Sequence, residues 1–220
     1  MIHMFPDRYS VLIVGAPNAG VLEFCTYLTS FYLRNNQNVI MVEADTSRAF
    51  VRRQLRNFGI KNDEYEGTQL FLIDCYSEPL NPDESEFICS PTDLPDLLQK
   101  IKNAAEPLEE PVRIIFDSLS SLHIYSEPAQ VRDFLKKLSD FSKKKGSLTA
   151  TLHEGMHSID QVNALINQCD GLIEMHIDDK MKRFIRISRM KSIEIEPKWV
   201  PFEIEQAEGV SGTALVWKKD

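Results

Sequence analysis

Positive charge is in deficit in this chain. Its 220 residues carry 25 Lys and Arg against 33 Asp and Glu, a formal net charge of −8. That balance argues against a broad nucleic-acid-binding surface, which needs cations spread over a face. Cysteine is sparse: Cys25, Cys75, Cys89 and Cys169 are far apart and follow no metal or disulfide spacing. The expectation is of reduced, mostly buried thiols in a cytoplasmic protein. No apolar run approaches the ~20 residues that span a bilayer, so membrane insertion is not expected. The opening MIHMFPDRYS has no signal-peptide pattern. Internal repeats and low-complexity tracts are also missing. The length fits one α/β domain over residues 1–220, with enough chain for a real core.

Two further absences fall at the most informative place. Ser10 to Leu33, SVLIVGAPNAGVLEFCTYLTSFYL, reads as a buried strand, a glycine-bounded turn and a helix. Gly15, Ala16, Pro17, Asn18, Ala19 and Gly20 stand in the frame of a phosphate loop, G-x-x-x-x-G-K-[ST]. Val21 stands where that loop has its lysine, and Leu22 where it has the Mg²⁺-binding hydroxyl. Backbone amides and a helix N-terminus remain to attract an anion. The full positive charge and the metal contact do not. Phosphoryl transfer rests mostly on positioning and charge neutralisation, so this loop is read as a nucleotide-site shape without its chemistry.

Along the rest of the chain, apolar runs alternate with helical patterns. Strands are expected at Val39–Val42, Leu70–Ile73, Val112–Phe116 and Leu148–Leu152. Helices are expected from a Thr46 or Ser47 cap to Phe58, from Thr92 or Asp93 to about Ala105, over Pro128–Lys145 and over Ile159–Asn167. Ser77–Pro91 reads as a long loop and Gly146 as a helix stop. Gly171–Ile177, Arg183–Ser188 and Val200–Glu205 read as strands, the first two joined as a hairpin by Asp178-Asp179-Lys180. This order predicts a mostly parallel central sheet flanked by helices, with antiparallel strands at the C-terminal end. The final GTALVWKKD is compatible with a short strand or with docking on a partner.

RIIFDSLSSL, a strand ending in Asp117, is followed by SLTATLHEG, ending in His153, then by CDGLIEMHIDDKMKRFIRISRMKS and KWVPFEIE. With the loop at Gly15–Gly20, this order resembles the KaiC-like group of RecA-superfamily P-loop ATPases, including the archaellum accessory ATPases. The resemblance covers Tyr9 to about Glu205 and implies a RecA-like fold. It implies that Gly15 to Leu22 hold the nucleotide and that Asp117 is the acid orienting Mg²⁺. Glu43 takes the place of the catalytic glutamate, in Glu43-Ala44-Asp45 rather than a Glu-Glu pair. His153 lies at the γ-phosphate sensor position. Arg186, Arg189 and Lys191 fall on the strand that, in ring-forming members, reaches a neighbouring subunit's nucleotide. The cofactor implied is ATP or ADP with Mg²⁺; Val21 and Leu22 argue against it.

His153-Glu154-Gly155-Met156-His157 matches H-E-x-x-H, but zinc proteases need that motif on a helix. Here it follows a strand and contains the helix breaker Gly155. Glu43, Asp45, Asp74, Asp117 and His153 all fall at expected strand C-termini, where α/β sheets build ligand crevices. The basic set Lys180, Lys182, Arg183, Arg186, Arg189 and Lys191 is split between two strand faces. The expected function is therefore a non-hydrolysing regulatory or assembly domain with protein partners or self-association. Two alternatives stand beside it: an ATPase completed in trans by an oligomer neighbour, and a recombinase-like DNA-binding protein.

Overall fold

The computed structural model describes residues 5–77, 87–206 and 213–217. In chain order the strands are β1 (Tyr9–Gly15), β2 (Asn38–Glu43), β3 (Leu70–Asp74), β4 (Val112–Asp117) and β5 (Gly146–His153), then β6 (Gly171–Ile177), β7 (Arg183–Met190), β8 (Val200–Gln206) and β9 (Thr213–Trp217). The helices are α1 (Val21–Arg34), α2 (Arg48–Asn57), α3 (Asn62–Tyr65), α4 (Leu94–Ala105), α5 (Leu119–Tyr125), α6 (Pro128–Lys145) and α7 (Ile159–Ile166).

All nine strands join one sheet in the order β3-β2-β4-β5-β1-β6-β7-β8-β9. β3 through β6 pair in parallel; β7, β8 and β9 add on antiparallel. The expected architecture is thus borne out. The central strands are buried along nearly their whole length because both faces are covered, the usual condition of a parallel sheet. Alternation divides them between two cores. On β2, Ile40 and Val42 join the α4–α6 side while Val39 and Met41 join the α1–α2 side. On β4, Ile114 and Phe116 face one side and Ile115 the other.

Several helix starts follow side-chain capping. The Ser47 hydroxyl accepts from Phe50 N–H at 3.3 Å, and the Asp93 carboxylate from Asp96 N–H at 3.0 Å. Ser158 and Gln161 form a reciprocal capping box at α7. The β6–β7 hairpin turns on Asp178, whose carboxylate accepts from Lys180 and Lys182 N–H at 2.9 and 2.8 Å.

The structure adds detail to these expectations. Gly146 stops α6 as expected, and it is also the first residue of β5, paired with Val112. A Cβ there would lie 2.1 Å from the Val112 carbonyl oxygen, so only glycine lets the strand begin at once. The chain also forms α3 and α5, two short helices too brief for hydrophobic periodicity to announce. Of the Ser77–Pro91 loop, residues 78–86 lie outside the described residues, but its end is anchored by a parallel bridge between Asp74 and Ile88. The C-terminal tail supplies β9, which pairs with β8; Lys218 to Asp220 lie outside the described residues.

Candidate functional site

The glycine-bounded loop joins the C-terminal end of β1, the middle strand of the sheet, to α1. The Gly15 carbonyl accepts from Glu154 N–H at 2.8 Å, and Ala16 N–H donates to the Met175 carbonyl at 3.1 Å. The strands on either side of β1 therefore hold the loop's first residues. Ala19 N–H closes a tight turn on the Ala16 carbonyl at 3.0 Å. Asn18 and Gly20 have φ of 63° and 89°, and Gly20 opens α1 without a side-chain cap. Pro17 and Asn18 are exposed; Ala19 and Gly20 are buried.

What fills the loop distinguishes it. A Cβ on Gly15 would lie 2.2 Å from Val21 Cγ2, so the Val21 side chain folds back over the loop's first glycine. Val21 and Ala19 belong to the buried apolar cluster that also holds Ile185 and Phe202, with Leu22 and Ile204 packed against it. From the antiparallel end of the sheet, Ile204 and Arg183 press on Gly20, at 3.1 and 3.3 Å from where its Cβ would be. Arg183 Nε donates to the Asn18 carbonyl at 3.1 Å. A hydroxyl does lie one turn beyond Leu22, on Thr26, but it donates to the Leu22 carbonyl at 2.8 Å.

Beside this loop the strand ends gather acids. Glu43 is in register with Asp74 on one side and Asp117 on the other. Glu43 is fully buried, and among the described residues neither carboxyl oxygen has a hydrogen-bond partner. Burial, then the charges of Asp117, Asp74 and Asp45, push its pKa well above the usual carboxylate range. Burial also raises Asp117, to about 6, although the Thr151 hydroxyl donates to it at 2.5 Å and opposes the rise. Asp74 is a turn cap: its carboxylate accepts from the N–H groups of Arg48, Tyr76 and Ser77 at 2.8–2.9 Å.

Asp45 takes a different role. Its carboxylate meets His153 Nε2 and accepts from the Ser121 hydroxyl. Burial works against its charge, but these two partners outweigh it and hold Asp45 below its ordinary value. The same contact with Asp45 raises His153. Ser120 is buried between two histidines: its oxygen accepts from His153 N–H at 2.9 Å and lies 2.8 Å from His157 Nε2. His157 in turn stands against His123, ring centroids 4.6 Å apart, and burial lowers both. The H-E-x-x-H residues thus face separate partners across a turn at Gly155, whose φ is 81°. Among the described residues no group of three His, Cys, Asp or Glu is placed to hold a metal ion.

The residues expected at a subunit boundary all lie on or just after β7 and have partners within the chain. Arg186 donates to the Glu174 carboxylate at 2.6 and 3.1 Å and lies over the Trp199 ring at 4.4 Å. Arg189 Nη2 donates to the carbonyls of Ile166 and Cys169 at 2.6 and 3.0 Å, closing the C-terminal end of α7. Lys191 lies 3.5 Å from Asp170. The expected site residues therefore fall into two sets. Gly15–Leu22, Glu43, Asp117 and His153 line one sheet edge; Arg186, Arg189 and Lys191 do not join them. Arg183, the first residue of β7, reaches the loop instead. Asp45, Thr151, Ser120 and Ser121 were not singled out as catalytic groups. The signal for the two serines was present in the hydroxyl run directly after Asp117.

Comparison with known proteins agrees with this layout. The family described as "ATPase: KaiC" matches residues 2–214. A UPF0273 protein of Methanopyrus kandleri is 24% identical over 90% of this chain and 82% of its own length. The circadian clock oscillator protein KaiC of a Nostoc species is 28% identical over 82% of this chain, which spans 34% of that protein. Among solved structures, a KaiC-like protein of Pyrococcus horikoshii superposes with a TM-score of 0.73 at 19% identity, covering 96% of this chain and 91% of that one. The flagellar accessory protein FlaH of Methanocaldococcus jannaschii superposes at 0.74 with 18% identity and the same coverage. These structural likenesses are likenesses of fold.

Proposed function

This chain belongs to the KaiC family of ATPases, and we propose that within it the chain is a non-hydrolysing member, acting as a regulatory or assembly domain through protein partners or self-association. The observation that carries this reading is Val21 folded over Gly15. A phosphate loop needs its interior free for phosphate and a cation to neutralise it. Here Val21 lays an apolar side chain over Gly15 where a cation is needed, and Leu22 offers no oxygen to a metal. Removing one preorganised electrostatic contact typically costs about 3 kcal/mol of transition-state stabilisation. This loop lacks two such contacts. The residues present do not fit Mg²⁺ with ATP or ADP.

Completion by a neighbouring subunit is less well supported, because Arg186 and Arg189 would first have to leave Glu174 and the end of α7. DNA binding would draw on a chain of net charge −8. Four free thiols suit a reducing, cytoplasmic setting, and no helix among the described residues is long and apolar enough to cross a membrane.

Calorimetric titration with ATP and with ADP, each with Mg²⁺, tests this. The expected result is no saturable heat at millimolar nucleotide, with affinity appearing in the Val21→Lys, Leu22→Thr double variant. Saturable binding by the wild type, with turnover abolished by Asp117→Asn, would overturn it.

A further inference from the structure

Away from the loop, at the outer end of the same sheet edge, two thiols face each other. Cys75 directly follows β3 and Cys89 directly follows the Ile88 bridge. Because Asp74 and Ile88 are paired in parallel, their successors are cross-strand neighbours. Parallel neighbours stand about 4.8 Å apart, inside the Cα separation that a disulfide requires. The backbone fixes both positions: Cys75 N–H donates to the Glu43 carbonyl at 2.7 Å and Cys89 N–H to the Asp74 carbonyl at 3.0 Å. The sulfur atoms lie 3.2 Å apart. Both cysteines line a cavity of about 920 Å³, shared with Tyr76, Thr92, Ser121 and Tyr125, that opens to solvent. Cys25 and Cys169 are fully buried and do not line this cavity.

We propose that Cys75 and Cys89 form a redox-active dithiol, reached through this cavity by small-molecule disulfides, that closes to an internal disulfide. In the first step one cysteine, as thiolate, attacks a sulfur of the small disulfide and expels one equivalent of small thiol. In the second step its neighbour loses its proton and displaces the second equivalent from the mixed disulfide. Two protein thiols are oxidised, one small disulfide is reduced to two thiols, and no other reactant enters. Contact with Cys89 and burial raise the Cys75 thiol well above its usual range, which makes the first step slow at neutral pH and faster as pH rises. The product ties the end of β3 to the strand segment beside it and so sets the cavity wall. This inference is independent of the nucleotide question.

The test uses the wild-type full chain under native conditions. It is incubated with glutathione disulfide at pH 8 and sampled over time. Each sample is quenched with an alkylating agent and read by intact mass and peptide mapping. The expected result is the joint loss of two alkylation sites, mapped to one cross-linked Cys75–Cys89 peptide, at least roughly tenfold faster than any loss at Cys25 or Cys169. The Cys89→Ser variant should instead trap a glutathione adduct on Cys75. Four thiols lost at one rate, a stable adduct on the wild type without ring closure, or a pair that stays reduced would each overturn the proposal.

Discussion

Replacing Asp117 by Asn should stabilise the protein at high pH and leave it nearly unchanged at low pH. Asp117 is buried at the end of β4, and its pKa rises from 3.8 to about 6 on folding. The folded state therefore holds this proton more tightly than the unfolded one. Stability contributed by the protonated acid is present below about pH 4. It is lost as pH climbs to about 6, and the deficit is constant above that. A rise of roughly two units at about 1.4 kcal/mol each comes to about 3 kcal/mol. Asparagine is uncharged at every pH, keeps an oxygen for the Thr151 hydroxyl, and has the unpartnered oxygens of Glu43 as its register neighbour. Urea unfolding of wild type and Asp117→Asn from pH 4 to pH 8 reads the gap directly. It should open from near zero to as much as about 3 kcal/mol in favour of the variant. Glu43 adds a slope of the same sign, so the comparison is repeated in a Glu43→Gln background. A gap that is flat with pH would refute the reasoning. So would a wild type that is the more stable at pH 8, which would mean that a cation already compensates the ionised acid. Adding Mg²⁺ and ATP should not alter the gap.

Gly20→Ala should cost about 1–2 kcal/mol in the same assay, from the left-handed backbone and the approach to Ile204 and Arg183. An unchanged midpoint would mean that β8 does not hold the loop. For His153→Asn the loss should be larger at pH 6 than at pH 9. The pairing with Asp45 raises His153, so its stabilisation is complete below the unfolded value near 6.5 and vanishes as pH passes the folded value. Equal losses at both pH values would mean that the pair does not act as an ion pair.

The alternation of strands and helices was legible because most central strands carry short apolar runs and the longer helices carry clear stripes, several of them with caps. The strand-end acids were legible for a geometric reason: in a parallel sheet the residues closing successive strands share an edge. Register then does the rest, setting Glu43 between Asp74 and Asp117. The division of the basic residues between two faces of β7 also followed from period two. Arg183, Ile185 and Ile187 turn toward the loop and the α1 side, while Arg186 and Ser188 meet Glu174. What could not be read was which partner each charge meets. Asp45 and His153 are separated by 108 positions, and nothing local to either names the other. Nor does the spelling G-x-x-x-x-G-V-L say that the valine turns inward over Gly15. That depends on Phe202 and Ile204, contributed by a strand near the far end of the chain.

The placement of β1 also orders events during synthesis. Its first residues pair with positions near 147 and 171, so the strand bearing the loop finds neither neighbour until most of the chain has been made. By then β2, β3 and β4 can already have assembled, since their pairings lie closer together in sequence. Long-range closures are slow because chain entropy must be given up before contacts form. On a ribosome, β1 is made before the other described strands and seated after several of them. A nascent chain halted before residue 171 therefore has no finished loop, and any partner that recognises that loop is a reader of chains extended past β6.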